Sequence, residues 1–203
     1  MFPLGTVLLP GQPLPLHVFE PRYLALVERC LEASPEFGVV LIARGSEVGG
    51  DDTRCDAGTI ARLTDVAQLA DGRLMVLAVG MRRVRIDAWL PDDPHPWAEV
   101  TEWPEDTSCA ADGPPAPTVE LVTGQLRRVL ALRSELGEPV PDATFEVVDD
   151  RAAASYQLCA IAPLGALDRQ ALLVAPSVDA RLRSLSALLA DDVEVLQMRL
   201  GTS

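Results

Sequence analysis

FPLGTVLLPGQPLPLHVFEPRYLALVERCLE, Phe2 to Glu32, changes its hydrophobic period part-way along, and that change decides the fold class. An apolar run at Val7–Leu9 halts at Pro10-Gly11, a turn signal, and apolar residues resume through Leu14, Leu16, Val18 and Phe19 with prolines between them. Two short extended pieces around a tight bend are expected. Pro21 then stands where a helix can start, because its fixed φ suits the first turn and its missing amide hydrogen would have no partner there. Tyr23, Leu26, Val27, Cys30 and Leu31 follow at i, i+3, i+4, i+7 and i+8, one apolar stripe of an amphipathic helix. The chain therefore opens strand, turn, strand, helix.

Working outward, Phe37–Ala43 is a continuous apolar run rich in β-branched residues, the pattern of a central strand buried on both faces. Residues 45–58 read as loop. Ile60–Leu69 and Leu74–Val79 flank Ala70-Asp71-Gly72-Arg73, where Asp-Gly favours the positive φ of a tight hairpin. Arg83-Val84-Arg85-Ile86 alternates with period two, so a further strand is expected with its arginines turned one way and Val84 and Ile86 the other. From Pro104 to Pro117 periodicity vanishes and prolines accumulate, the composition of a linker. Beyond it the period is helical. Val119, Val122, Leu126, Val129, Leu130 and Arg133 make one face, stopped by Gly137. Asp149-Asp150 offer N-caps for a helix through Tyr156 and Leu158, and Ser177 caps a long last helix through Leu182, Leu189 and Leu200. The expectation is an α+β protein with a β-rich subdomain over residues 1–112 and a helical subdomain over residues 113–203.

The wording of the opening stretch, beyond its pattern, resembles the amino-terminal substrate-binding domain of the Lon protease family. Phe2-Pro3-Leu4, Pro10-Gly11, Pro15-Leu16 and Phe19-Glu20-Pro21-Arg22-Tyr23 carry the likeness. It continues in order through Gly58-Thr59-Ile60-Ala61, Asp71-Gly72-Arg73, Gly80, Arg83-Val84-Arg85-Ile86 and Ala98-Glu99-Val100. It ends at Gln170-Ala171-Leu172-Leu173 and Asp179-Ala180-Arg181-Leu182. The resemblance implies a PUA-like pseudo-barrel followed by a carboxyl-terminal helical bundle. It also implies a non-catalytic module that binds unfolded or apolar polypeptide segments, as an adaptor or recognition factor in protein quality control, with a separate protease as a further candidate partner. Phe19, Glu20, Pro21, Arg22 and Tyr23, with Gly80 and Arg83, are family-signature residues whose expected role is structural: Glu20 sits at a helix N-terminus, and Arg22 can pair with a strand-end carboxylate or carbonyl.

Composition narrows the chemistry. At 203 residues the chain is expected to bury roughly 70% of its extended surface, and no apolar run approaches the roughly 18 residues of a bilayer span. With no signal-peptide pattern at the start, the reading is a soluble, cytoplasmic protein. All 17 basic residues are arginine. Without lysine there is no P-loop, no Schiff base and no Ser-Lys dyad of the kind the Lon peptidase domain uses, so the chain reads as a recognition domain standing alone. Four scattered cysteines and two histidines are too sparse for a zinc site, and no cofactor or metal is expected. Cys30 and Cys159 read as small core residues. Cys55 and Cys109 lie in polar loops, with Asp51, Asp52 and Asp56 placed to raise the Cys55 pKa.

The remaining candidates divide by exposure and charge. Asp51-Asp52, Asp92-Asp93 and Asp191-Asp192 read as solvated surface. His95 lies in a loop without a neighbouring nucleophile, and His17 is expected beside the first helical turn. Arg82, Arg83 and Arg85 form the one basic cluster, yet residues 1–112 carry 9 Arg against 18 Asp and Glu, and residues 113–203 carry 8 against 12. Both halves repel a polyanion, so nucleic acid is not the expected partner, nor is membrane. The arginines are expected on a sheet edge or outer face beside carboxylates. Trp89, Trp97 and Trp103 are three of only nine aromatics and sit among prolines. Such residues either plug a core or anchor an apolar partner, and they are the candidate binding residues. The alternatives are a hydrolase using Ser46, Ser108 or a loop cysteine, for which no GxSxG elbow or paired Cys-His signature exists, and a PUA-like RNA-binding protein.

Overall fold

The computed structural model describes residues 1–44, 53–106 and 115–201, and the chain divides into two units, Met1–Pro104 and Glu105–Ser203. The expected 112/113 boundary lies outside the described residues, as do Ser46, Asp51, Asp52, Ser108 and Cys109.

The first unit is built on six strands and one helix. The strands are β1 (Phe2–Leu4), β2 (Pro13–Val18), β3 (Glu36–Arg44), β4 (Thr53–Gln68), β5 (Leu74–Leu90) and β6 (Trp97–Glu102), and α1 runs Pro21–Glu32. They form one sheet in the order β1-β3-β4-β5-β2, with β6 also on β5. Only the β1–β3 pair is parallel among these. The length of β5 makes the arrangement possible: Leu74–Val79 pairs with β2, and Val84–Leu90 pairs with β6. Arg83–Ile86 is thus the continuation of one long strand and not a separate one. β4 likewise reaches back to Thr53, into the stretch that reads as loop in the sequence. The Asp-Gly hairpin forms as expected, with Gly72 at φ 85° and its amide bonded to the Leu69 carbonyl.

The opening stretch departs from expectation in one place. Val7–Leu9 is buried but is not a strand; the first extended piece is Phe2–Leu4, held in the sheet by β3. The Pro10-Gly11 turn is present, with Gly11 at φ 81° and its amide donating to the Gly80 carbonyl at 2.8 Å. Pro13 and Pro15 lie on a strand that, among the described residues, pairs only with β5, where a residue without an amide hydrogen is tolerated on the open side. Helix α1 begins at Pro21 and buries Tyr23, Leu26, Val27 and Cys30. Leu31, assigned to the same stripe, is 61% exposed, because it lies at the margin of a face that α1 does not fully cover. Phe2 stacks on Tyr23 with ring centroids 4.1 Å apart, so the FPL and FEPRY segments meet in the core, an aromatic pair that contributes roughly 0.5–1.5 kcal/mol beyond its burial.

The second unit contains α2 (Val119–Glu135), α3 (Arg151–Ile161), α4 (Ala166–Leu173) and α5 (Val178–Gly201). Each predicted boundary has its cap. Thr118 Oγ1 accepts from the Leu121 amide, Asp150 Oδ1 from Ala153 at 2.8 Å, and Ser177 Oγ from Ala180 at 3.2 Å. Gly137, at φ 75°, ends α2 in a Schellman motif: its amide bonds the Ser134 carbonyl and that of Glu138 bonds Arg133. Helix α4 has no counterpart in the sequence reading; it is only eight residues long and buries just Leu172 and Leu173. Asp192 is not a solvated surface carboxylate. It receives Arg133 of α2 at 2.9 Å and ties that helix to α5. Cys30 and Cys159 are buried as expected.

Candidate functional site

An apolar groove of about 340 Å³ opens in the first unit beside α1 and β6. Helix α1 presents Leu26, Arg29 and Cys30 at i, i+3 and i+4, continued by its C-cap Ala33, one strip of surface, and the chain then turns so that Phe37 and Gly38 at the start of β3 form the floor. His95, Trp97, Ala98 and Val100 supply the facing wall. The Arg29 guanidinium lies 4.2 Å over the Trp97 ring, and the indole Nε1 donates to the Asp93 carbonyl at 3.1 Å. These two contacts hold Trp97 half-buried at the groove margin. His95 packs on Trp97 with ring centroids 4.7 Å apart and is only 4% exposed.

Burial depresses the His95 pKa below 6.5, so the ring that backs Trp97 favours its neutral form. The Cys30 thiol reaches the Glu36 carbonyl at 3.5 Å, and burial raises its pKa, which suppresses the thiolate. Glu36, on the rim, is held below the usual carboxylate range by Arg82 and then Arg62, which bond its two oxygens at 3.0 and 2.9 Å. The lining is therefore suited to burying apolar side chains. No group of three or more His, Cys, Asp or Glu able to hold a metal occurs among the described residues.

Of the three candidate tryptophans, the structure places only Trp97 in this groove. All three are half-buried, and each lies under arginine: Arg54 is 4.8 Å from the Trp89 ring, and Arg83 and Arg85 are 4.4 and 4.0 Å from that of Trp103. The basic cluster is correspondingly occupied within its own unit. Arg82 pairs with Glu36 and Glu102, as expected of an exposed arginine. Arg83 departs from expectation. It is 2% exposed and donates to the Trp103 and Pro104 carbonyls at 3.1 and 3.3 Å, because a register slip near Met81 brings it under the chain's exit from β6.

The FEPRY residues form a second, smaller hollow. Phe19, Glu20 and Tyr23 line about 180 Å³ with Phe2, Leu4, Leu16 and His17. Arg22 pairs with Glu20, two residues away, at 3.0 Å, and lies 4.6 Å over the Tyr23 ring. Phe19 is 54% exposed, with His17 edge-on to it at 6.1 Å. A larger hollow in the second unit, about 590 Å³, is walled by Thr118, Glu120, Arg127, Asp149 and Arg151; its charged lining fits an apolar ligand poorly. Cys55 is partly buried, and burial followed by Asp56 raises its pKa, in the direction read from the sequence.

Comparison with known proteins decides the family. The ATP-dependent protease La (LON) substrate-binding domain matches residues 1–191. The chain belongs to this family. Lon protease 2 of Herpetosiphon aurantiacus is 29% identical over 205 residues, covering 96% of the chain but 24% of its own length. The chain thus spans about a quarter of that relative. The crystal structure of a Lon N-terminal domain protein from Xanthomonas campestris superposes with a TM-score of 0.65 at 30% identity, covering 93% of this chain and 95% of that one. The N-terminal domain of Lon protease from the Mycobacterium avium complex shares the fold, with a TM-score of 0.61 at 21% identity over 93% and 97% of the two chains. The family resemblance carried by FPL, FEPRY and the later motifs is borne out.

Residues that sequence reasoning left out of the site are Leu26, Arg29, Phe37, Ala98 and Val100. Arg29 follows Glu28 on an amphipathic helix and reads as solvent face. Only its position one residue before buried Cys30 hinted that its stem would border an apolar wall.

Proposed function

We propose that this chain is a non-catalytic recognition module that holds exposed apolar segments of other polypeptides in the groove between α1 and β6, as an adaptor or recognition factor in protein quality control. The observation that carries this reading is the apolar groove with Trp97 at its margin, within a chain of the Lon substrate-binding family. Burying an apolar side chain there stabilises the complex by roughly 25 cal/mol per Å² before association costs. A tryptophan fixed by a cation and a hydrogen bond loses little conformational freedom when a ligand covers it.

The reading predicts where a ligand sits. An apolar peptide carrying a photo-crosslinker, bound to the full chain and mapped by mass spectrometry, should label the second half of α1 and residues 95–100. Labelling confined to the second unit would count against it.

A further inference from the structure

Among the described residues β6 forms an edge of the sheet, pairing with β5 and with no other strand. The Trp103 amide, just past its end, donates to the Arg83 carbonyl at 3.1 Å, and this fixes the alternation along β6. Residues 97, 99 and 101 turn their backbone groups toward β5, as Trp103 does, so those of Ala98, Val100 and Glu102 face away from it. The register slip in this pair lies on β5, between Ile86 and Ala88, so the alternation on β6 runs unbroken. Ala98 and Val100 also line the groove, and Val100 is 39% exposed. Open backbone groups and apolar groove therefore coincide.

The other strand edge on β5 is blunted. β2 carries Pro13 and Pro15, which cannot donate to an added strand. β6 contains no proline. An extended peptide on such an edge gains main-chain hydrogen bonds while alternate side chains enter the neighbouring groove.

Charge says which peptide. Beside the groove in sequence, Glu32, Asp93 and Glu99 are exposed. The arginines at the rim are already engaged: Arg29 lies on Trp97, and Arg62 and Arg82 bond Glu36. The exposed carboxylates beside the groove outnumber Arg29, whose charge the ring contact leaves in place, in a chain of net charge −13. We propose that an extended apolar segment flanked by basic residues adds to β6 as a further strand, its backbone bonded to Ala98, Val100 and Glu102 and alternate side chains in the groove. This rests on the groove being the polypeptide site argued above.

The probe is a labelled synthetic peptide of alternating leucine, threonine and valine between paired arginines, titrated onto the full chain at low salt. Two further versions carry N-methyl groups on alternate amides, one on each set. One set should weaken binding at least about tenfold, since each methyl removes a donor from the added strand, and the other should bind nearly as the parent does. Val100→Pro, which removes an amide facing away from β5, should weaken binding with an unchanged melting temperature. Should that variant melt early, the methylated pair still decides. The two sets behaving alike, whether both bind or both fail, overturns strand addition while leaving apolar binding standing. Equal affinity for a peptide with glutamate flanks overturns the basic specificity. Failure of the parent peptide to bind overturns the groove reading itself.

Discussion

Arg181→Ala is expected to destabilise the second unit by about 3–5 kcal/mol, the cost of removing one partner from a buried charged network. Arg181 is fully buried on α5. Its Nε donates to the Leu172 carbonyl at 3.1 Å, Nη1 to Ser155 Oγ at 2.9 Å, and Nη2 to Glu105 Oε2 at 2.9 Å and Tyr156 Oη at 2.7 Å. The guanidinium also lies 3.7 Å over the Tyr156 ring, and Tyr156 itself donates to Glu105. Alanine leaves a cavity and takes one partner each from the Glu105 carboxylate, the Ser155 hydroxyl and the Leu172 carbonyl. Against a total stability of roughly 5–15 kcal/mol, such a loss leaves the unit close to unfolding at physiological temperature. Urea denaturation followed by circular dichroism reads it directly. A loss below about 1 kcal/mol would mean that water replaces the network at little cost.

Gly80→Ala is expected to cost the first unit about 2–3 kcal/mol, the upper part of the range for forcing extra atoms into a packed site. A Cβ on Gly80 would collide with the Leu9 carbonyl, where the Pro10-Gly11 turn crosses β5 and the Gly80 amide donates to the Gln12 carbonyl at 3.0 Å. Backbone blocks the space, so no side-chain rotation relieves the clash. Gly124→Ala is the contrast. That glycine lies mid-way along α2 with nothing within 4 Å of an added Cβ, and alanine there should stabilise by roughly 0.5–1 kcal/mol. Opposite shifts in thermal melting check both, and equal shifts would contradict the packing argument.

What could be read in advance followed from local rules. Caps, the Asp-Gly hairpin and the helical stripes are set by neighbours within a few residues, and these formed where the spacing placed them, Leu31 at the margin of its stripe excepted. Arg83 shows where such rules stop. Its alternation with Val84 predicts a one-sided strand, but a register slip between Ile60 and Ala61, pairing them with Arg82 and Gly80, turns Arg83 inward to carbonyls twenty residues on. The site was legible only in Trp97. Proline-rich surroundings marked all three tryptophans alike, and what separates Trp97 is a groove assembled from α1, β3 and β6, elements distant in sequence. Arg29 carries no local mark of that meeting beyond its place beside Cys30, and Val100 carries none.

Titration of a labelled apolar peptide onto the full chain and its Trp97→Ala variant, with both proteins melted in parallel, reads out whether apolar polypeptide binds against Trp97. Trp97 lies half-exposed, so the variant should melt within a few degrees of the parent while binding weakens by about thirtyfold, the loss of one anchor of about 2 kcal/mol. Equal affinity in a folded Trp97→Ala protein would mean that apolar polypeptide does not bind against Trp97.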